Sequence, residues 1–190
     1  MNIQRESFSD PFFDNQNSWS SDNNIHKDLI ATKKYIYDPC KMIISTPMME
    51  SESAEYGAFT FKLNDFDIRF RVAKITPTKT GQFVTLWKRS AGEPIQPFDA
   101  SDPVDFVVIC VRNDKNFGQF VFPSPVLCEK DILSVDSKGG KRAIRVYPPW
   151  DETTSKQAKK TQEWQMKYFL EIPENRSVDC VRAKFLYSGH

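Results

Sequence analysis

The stretch Ile68–Arg89, IRFRVAKITPTKTGQFVTLWKR, sets the reading of this chain. It holds six basic residues (Arg69, Arg71, Lys74, Lys79, Lys88 and Arg89) and no acidic one, within a protein whose formal net charge is +1. The cations alternate with aromatic and β-branched residues, a period-two pattern that predicts strands. Ile68, Phe70 and Val72 fall on one face of such a strand, and Arg69 and Arg71 on the other. A sheet with a cationic face and a Trp among the charges suits phosphates and bases.

Working outward, Phe59, Phe61 and Leu63 alternate with Thr60 and Lys62, predicting a strand from Ala58 to Asn64. Asn64-Asp65 makes a turn into a returning strand from Asp67 to Thr76. Thr76-Pro77-Thr78 breaks the chain before a third strand, Gln82 to Lys88. Val104 to Arg112 is nearly continuous apolar sequence, the pattern of a central strand covered on both faces. Further strands are expected at Gly118 to Phe122 and Ala143 to Tyr147. The tetrapeptide GQFV recurs at Gly81 and Gly118, too short a repeat to argue duplication.

Helical spacing appears from Ile25 to Tyr37, ended by Asp38-Pro39, and in a short start around Ser51 to Tyr56. Val126 to Leu133 is expected as a short helix. The longest runs from about Thr154 to Glu171, with Trp164, Tyr168 and Phe169 on its core side. A last element, Val178 to Tyr187, is expected to pair at a sheet edge. Residues 1–24 are rich in Asn, Asp and Ser and read as an arm, on which Phe12, Phe13 and Trp19 could dock back on the body. Residues 25–190 form one α/β domain, a size typical of a single core.

Several function classes are disfavoured. The longest apolar run, Phe106 to Val111, falls far short of the ~20 residues that span a bilayer, and the first residues lack a signal-peptide pattern. A bacterial cytoplasmic protein is therefore expected. The four cysteines, Cys40, Cys110, Cys128 and Cys180, include no CxxC pair; Cys110 reads as a reduced core residue and zinc is not expected. Only His26 and His190 exist, which leaves His26 as the single imidazole for nucleophilic chemistry, a surface residue being the commoner case.

Charge is segregated. Residues 1–67 and 90–136 are net acidic, whereas 68–89 and 137–170 are net basic, the latter with Lys138, Lys141, Arg142, Arg145, Lys156, Lys159, Lys160 and Lys167. Folded onto one face, the two basic blocks would form a groove for a polyanion. Trp87 is a candidate for stacking on an unpaired base, with edge packing as its bland alternative. Lys138-Gly139-Gly140-Lys141-Arg142 could offer backbone N–H groups to phosphate, or be a basic loop without a ligand.

Five segments carry a resemblance: EYGA at Glu55, FRVAKITPTKTGQFVTLWKR from Phe70, GQFVFP from Gly118, GGKRAIRVYPPW from Gly139 and KKTQEWQMKYF from Lys159. Together they resemble the MepB-like family of bacterial proteins over most of residues 50–170. The resemblance implies a core like that of restriction endonucleases, a mixed sheet flanked by helices, and nucleic-acid binding without a defined reaction. Nucleases of that fold place a carboxylate on one strand and an acidic-x-Lys pair on the next to hold Mg²⁺. Here Leu86 would take the acidic position and Lys88 the lysine, while Arg71 and Lys74 occupy the preceding strand.

The expectation is thus a binding protein on an endonuclease-like fold with a degenerate metal site, without a cofactor, favouring single-stranded DNA or RNA with weak sequence preference. Its candidate contacts are Arg71, Lys74, Lys79, Trp87, Lys88, Arg89, Lys141, Arg142, Arg145 and Lys160. A nuclease with migrated carboxylates would instead use Glu55 with Asp67 or Asp105 and Lys74 or Lys88. Asp65, Asp67, Asp102 and Asp105 read more simply as turn and cap residues. A third reading is a regulatory module whose basic face meets an acidic protein.

Overall fold

The computed structural model describes residues 24–89, 92–174 and 176–189; the arm with its aromatic residues and His190 lie outside the described residues, apart from Asn24. Its strands are β1 (Met48–Met49), β2 (Phe59–Leu63), β3 (Phe66–Val72), β4 (Lys74–Thr76), β5 (Lys79–Thr85), β6 (Trp87–Lys88), β7 (Gln96–Pro97), β8 (Phe106–Arg112), β9 (Phe117–Pro123), β10 (Ala143–Val146) and β11 (Phe169–Glu171). Its helices are α1 (Lys27–Thr32), α2 (Ser124–Glu129), α3 (Lys156–Gln165) and α4 (Cys180–Leu186). The class is mixed α/β, as expected from the sequence.

A six-stranded sheet in the order β1-β2-β3-β8-β9-β11 forms the middle layer. Its centre is the parallel pair β3–β8, with Ile68 opposite Phe106 and Val72 opposite Cys110; every other pairing in it is antiparallel. Strand β8 is buried from Phe106 to Val111, as its uninterrupted apolar run requires. Alternate residues then serve two cores. Ile68, Phe70, Val108, Cys110 and Val121 pack under α1 and α4, whereas Val107, Ile109, Val111, Phe120 and Phe122 meet the other side. Gln119, buried mid-sheet, donates to Tyr187 Oη at 2.7 Å, while its Oε1 has no hydrogen-bond partner among the described residues.

Strands β4 and β5, from the chain between β3 and β8, join β10, which follows β9, in a second, three-stranded sheet in the order β10-β5-β4. Val84, Ile144 and Val146 on its inner face belong to the second core. The expected strand Asp67 to Thr76 is therefore two strands in two sheets: Ala73 N donates to Cys110 O at 2.9 Å at the crossing, and Lys74 pairs with Phe83 beyond it.

Two further expectations are corrected. The long helix ends at Gln165, one 3₁₀ turn follows, and Phe169–Glu171 is an edge strand on β9. Phe169 faces one core and Leu170 the other, a period-two demand that a helix cannot meet. Conversely, the last element is helix α4, because Ala183, Leu186 and Tyr187 recur at helical spacing toward the first core.

The GQFV repeat has a packing explanation. A Cβ on Gly81, at φ +83°, would lie 2.5 Å from the Tyr147 ring, and one on Gly118 2.5 Å from the Phe169 ring. Each glycine lets an aromatic side chain from the neighbouring segment lie across the strand.

Candidate nucleic-acid interface

The outer face of the small sheet brings the two basic blocks together. Antiparallel pairing sets Lys74 opposite Phe83 and Phe83 opposite Arg145, so these three form one row across β4, β5 and β10. Tyr56, from the 3₁₀ turn Ala54–Tyr56, meets Phe83 edge-on at 6.1 Å between centroids. The Lys74 ammonium lies 4.4 Å from the Tyr56 ring centre, and the Arg145 guanidinium 5.7 Å from that of Phe83, both within cation–π reach. Tyr147 extends the row beside Gly81.

Arg145 is fixed rather than free to swing. Its Nη1 donates to Gly81 O at 2.8 Å and its Nη2 to Thr76 Oγ1 at 2.9 Å, tying β10 to the β4–β5 turn. Nη1 also reaches Lys79 O at 3.4 Å, and part of the five-donor guanidinium stays unengaged. Tyr56, Phe83 and Tyr147 are each partly exposed. Burial, with Glu55 adding repulsion, raises the Tyr56 phenol above its ordinary value, so it stays neutral at physiological pH.

The ten sequence candidates divide by environment. Lys74, Lys79, Lys141, Arg142, Arg145 and Lys160 form no ion pair among the described residues. Lys74, Lys79, Lys141, Arg142 and Lys160 are exposed. Lys141 and Arg142 lead into β10, and Leu86 N donates to Arg142 O at 2.8 Å, which places them at the Thr85 end of the sheet, opposite the end that carries Lys79. Lys160 lies on α3, away from the row.

Lys88 is held by Asp102 at 2.5 Å. Arg89 reaches Glu52 at 3.4 Å and sits 5.6 Å above the Trp87 ring. Trp87 itself is partly buried opposite Pro97 in the β6–β7 pair, so edge packing describes it.

Arg71 is a correction. Its side chain is 1% exposed, with Nη1 2.5 Å from Glu50 Oε2, and Arg69 binds the same carboxylate. Both guanidinium groups lie near the Phe98 ring, at 6.0 and 4.9 Å. Burial pulls the Arg71 value below the usual one and the Glu50 charge opposes that shift. This is an interior ion-pair cluster, not a surface for phosphate.

The glycine loop is corrected as well. Lys138 N donates to Val135 O at 3.0 Å and Lys141 N to Ile132 O at 2.9 Å; Gly140 N donates to Asp131 Oδ1 at 3.1 Å. These amides are engaged within the protein and do not form a phosphate cradle.

The carboxylates of the nuclease alternative are dispersed. Glu55 is exposed on the 3₁₀ turn. Asp67 pairs with Lys62 at 2.9 Å, Asp105 accepts from Asp67 N at 2.7 Å, and Asp102 accepts from Asp99 N at 2.7 Å. No group of three His, Cys, Asp or Glu residues among those described is placed to hold a metal ion. His26 caps α1, its Nδ1 accepting from Asp28 N at 3.1 Å.

Tyr56, Phe83, Tyr147 and Glu50 were missed by sequence reasoning. Phe83 and Tyr147 could have been found by extending the period-two pattern of Lys79–Thr85 and Ala143–Tyr147. Tyr56 reaches the site, and Glu50 the interior Arg69–Arg71 cluster, through tertiary packing alone.

No helix of the described residues is long and apolar enough to cross a membrane. No curated protein matches the chain. A solved structure, the crystal structure of MepB, is similar with a TM-score of 0.68 and 35% sequence identity, covering 80% of this chain and 99% of its own. The MepB-like family model matches residues 50–171. The match includes Tyr56, the small sheet and α3, and on this evidence the chain belongs to the MepB-like family.

Proposed function

We propose that this protein binds single-stranded DNA or RNA along the outer face of the small sheet, mainly through the phosphate backbone. The observation that carries this is the row Lys74–Phe83–Arg145, in which two basic segments far apart in sequence become neighbours flanked by Tyr56 and Tyr147. Cations without acidic partners attract phosphates, and partly exposed rings give unpaired bases a sequence-tolerant platform. A duplex hides its base faces and would use only the charges. Among the described residues no recognition helix or zinc module supplies base reading, so sequence preference is weak.

In this reading the core is endonuclease-like, supported by a mixed sheet with a parallel centre and helices on its flank, with cations where a nuclease has acids. A bacterial cytoplasmic setting goes with nucleic acid as partner. The test is a mobility-shift titration of single-stranded RNA, single-stranded DNA and duplex DNA in Mg²⁺ or EDTA, with each sample also run on a denaturing gel. Retarded single strands that stay intact in both conditions are expected. Absence of any shift would refute the reading, and Mg²⁺-dependent cleavage would replace it with the nuclease alternative.

A further inference from the structure

Beside the row, the exposed edge of β10 and helix α3 enclose a cleft of about 410 Å³, inside the ~300–1,000 Å³ range of small-ligand sites. Its charged lining residues are Lys130, Lys141 and Arg145, all cationic, and no acid lines it. Ser155 and Thr161 add hydroxyls and Trp164 an aromatic wall. The Ser155 Oγ accepts from Ala158 N at 3.1 Å, which leaves its hydroxyl proton to donate. The Lys130 ammonium reaches the Glu129 carboxylate at 2.7 Å, but Glu129 is exposed, lies outside the lining and makes a weak pair. The floor is rigid: Gln165 Nε2 donates to Arg145 O and its Oε1 accepts from Tyr147 N, each at 2.9 Å.

Arg145 and Tyr147 belong both to this cleft and to the row on the sheet face, so a strand lying along the row runs toward the cleft. An internal phosphodiester carries one negative charge, whereas a terminal phosphomonoester carries about −1.5 to −2 at pH 7. Lys130, Lys141 and the Ser155 and Thr161 hydroxyls line the cleft without an acid, while the Arg145 guanidinium is held on the row side by Gly81 O and Thr76 Oγ1. Two ammonium groups exceed what one diester needs and suit the dianion. We propose that the β10–α3 cleft binds the terminal phosphomonoester of the nucleic-acid strand. This rests on the function proposed above.

The experiment compares one single-stranded octaribonucleotide with a 5′-phosphate, a 3′-phosphate or hydroxyl at both ends, by competition against a fluorescent oligonucleotide on the full chain. One phosphorylated end is expected to bind roughly tenfold more tightly than the hydroxyl-ended strand, the scale of one charge-assisted hydrogen bond. Lys130→Gln should bring that ratio toward one. Gln157→Glu should do so as well, because it places an anion in the lining at the first turn of α3, where an acid favours the helix.

Equal affinity for all three ends overturns the cleft proposal and leaves strand binding standing. A preference that both variants retain overturns the assignment to this cleft. Failure of every oligonucleotide to bind overturns strand binding and the strand-end proposal together. Titration with adenosine monophosphate then shows whether the cleft is instead a free-nucleotide site.

Discussion

Glu50 Oε2 stands 2.5 Å from Nη1 of Arg71, the largest side chain to be fully buried. Arg69 shares the carboxylate, so one acid from the segment before β2 pairs with two arginines of β3. Removing that charge strands a cation in the interior. Glu50→Gln is expected to lower unfolding stability by about 3–5 kcal/mol, read by urea denaturation. A loss below about 1 kcal/mol would show that the pair is not holding the interior.

Helix α1 begins on an imidazole that acts as an acceptor. Burial lowers the His26 value below its ordinary one; Asp28 opposes the shift, while Lys27 and Arg112 add to it. Because the folded value lies below the unfolded one, His26 contributes stability above about pH 6.5, and this contribution is lost as pH falls through the folded value. Protonation also removes the lone pair that accepts from Asp28 N, a cap worth about 1 kcal/mol. His26→Asn, which caps without titrating in this range, should flatten the acid limb of the stability–pH curve. An unchanged limb would assign it to other groups.

Cys40 and Cys180 are joined by a disulfide across a sequence separation of 140, with Cα atoms 5.2 Å apart. The bond ties the end of the first helical segment to the start of α4. Closing so long a loop restricts the unfolded chain, a contribution of about 4–5 kcal/mol in the loop-entropy model. Thermal melts with and without reductant should therefore differ by many degrees, and Cys40→Ser should match the reduced wild type. Cys110, fully buried with its thiol value raised by burial, should resist alkylation in the native state.

Tyr56 is the most accessible test of stacking, since it lies on a 3₁₀ turn outside both sheets. Tyr56→Ala should weaken single-strand binding by about 1–3 kcal/mol if one base rests on it and leave duplex affinity nearly unchanged. Equal effects on both ligands would move the aromatic contact elsewhere. Trp87→Phe, by contrast, should have little effect on binding, because Trp87 packs against Pro97 in the β6–β7 pair.

Much of the fold was legible where hydrophobic period and burial agree. Phe106 to Val111 read as a covered central strand because both faces of β8 are core. The hairpin β2–β3 was visible from alternating phenylalanines closed by Asn64-Asp65. Trp164, Tyr168 and Phe169 read as one helix face because their spacing fits a helix, and only the neighbouring strand β9 selects an extended chain at Phe169. The basic blocks were legible as composition, but not their joining. That depends on the long-range β5–β10 pairing, which local pattern does not encode. Arg71 looked like Lys74 in sequence, and only the fold, by bringing Glu50 to it, separates the two.

The central claim is that phosphate contacts on the small-sheet face supply the affinity. The most direct measurement is the dissociation constant for one unstructured single-stranded oligonucleotide at a series of salt concentrations. Five cations, Lys74, Lys79, Lys141, Arg142 and Arg145, at about 0.7 per phosphate on a single strand, predict a slope of log affinity against log salt near −3.5. Lys79→Ala, which removes one exposed cation, should make it shallower by roughly 0.7. A slope near zero, or one unmoved by Lys79→Ala together with Lys74→Ala, would contradict the account.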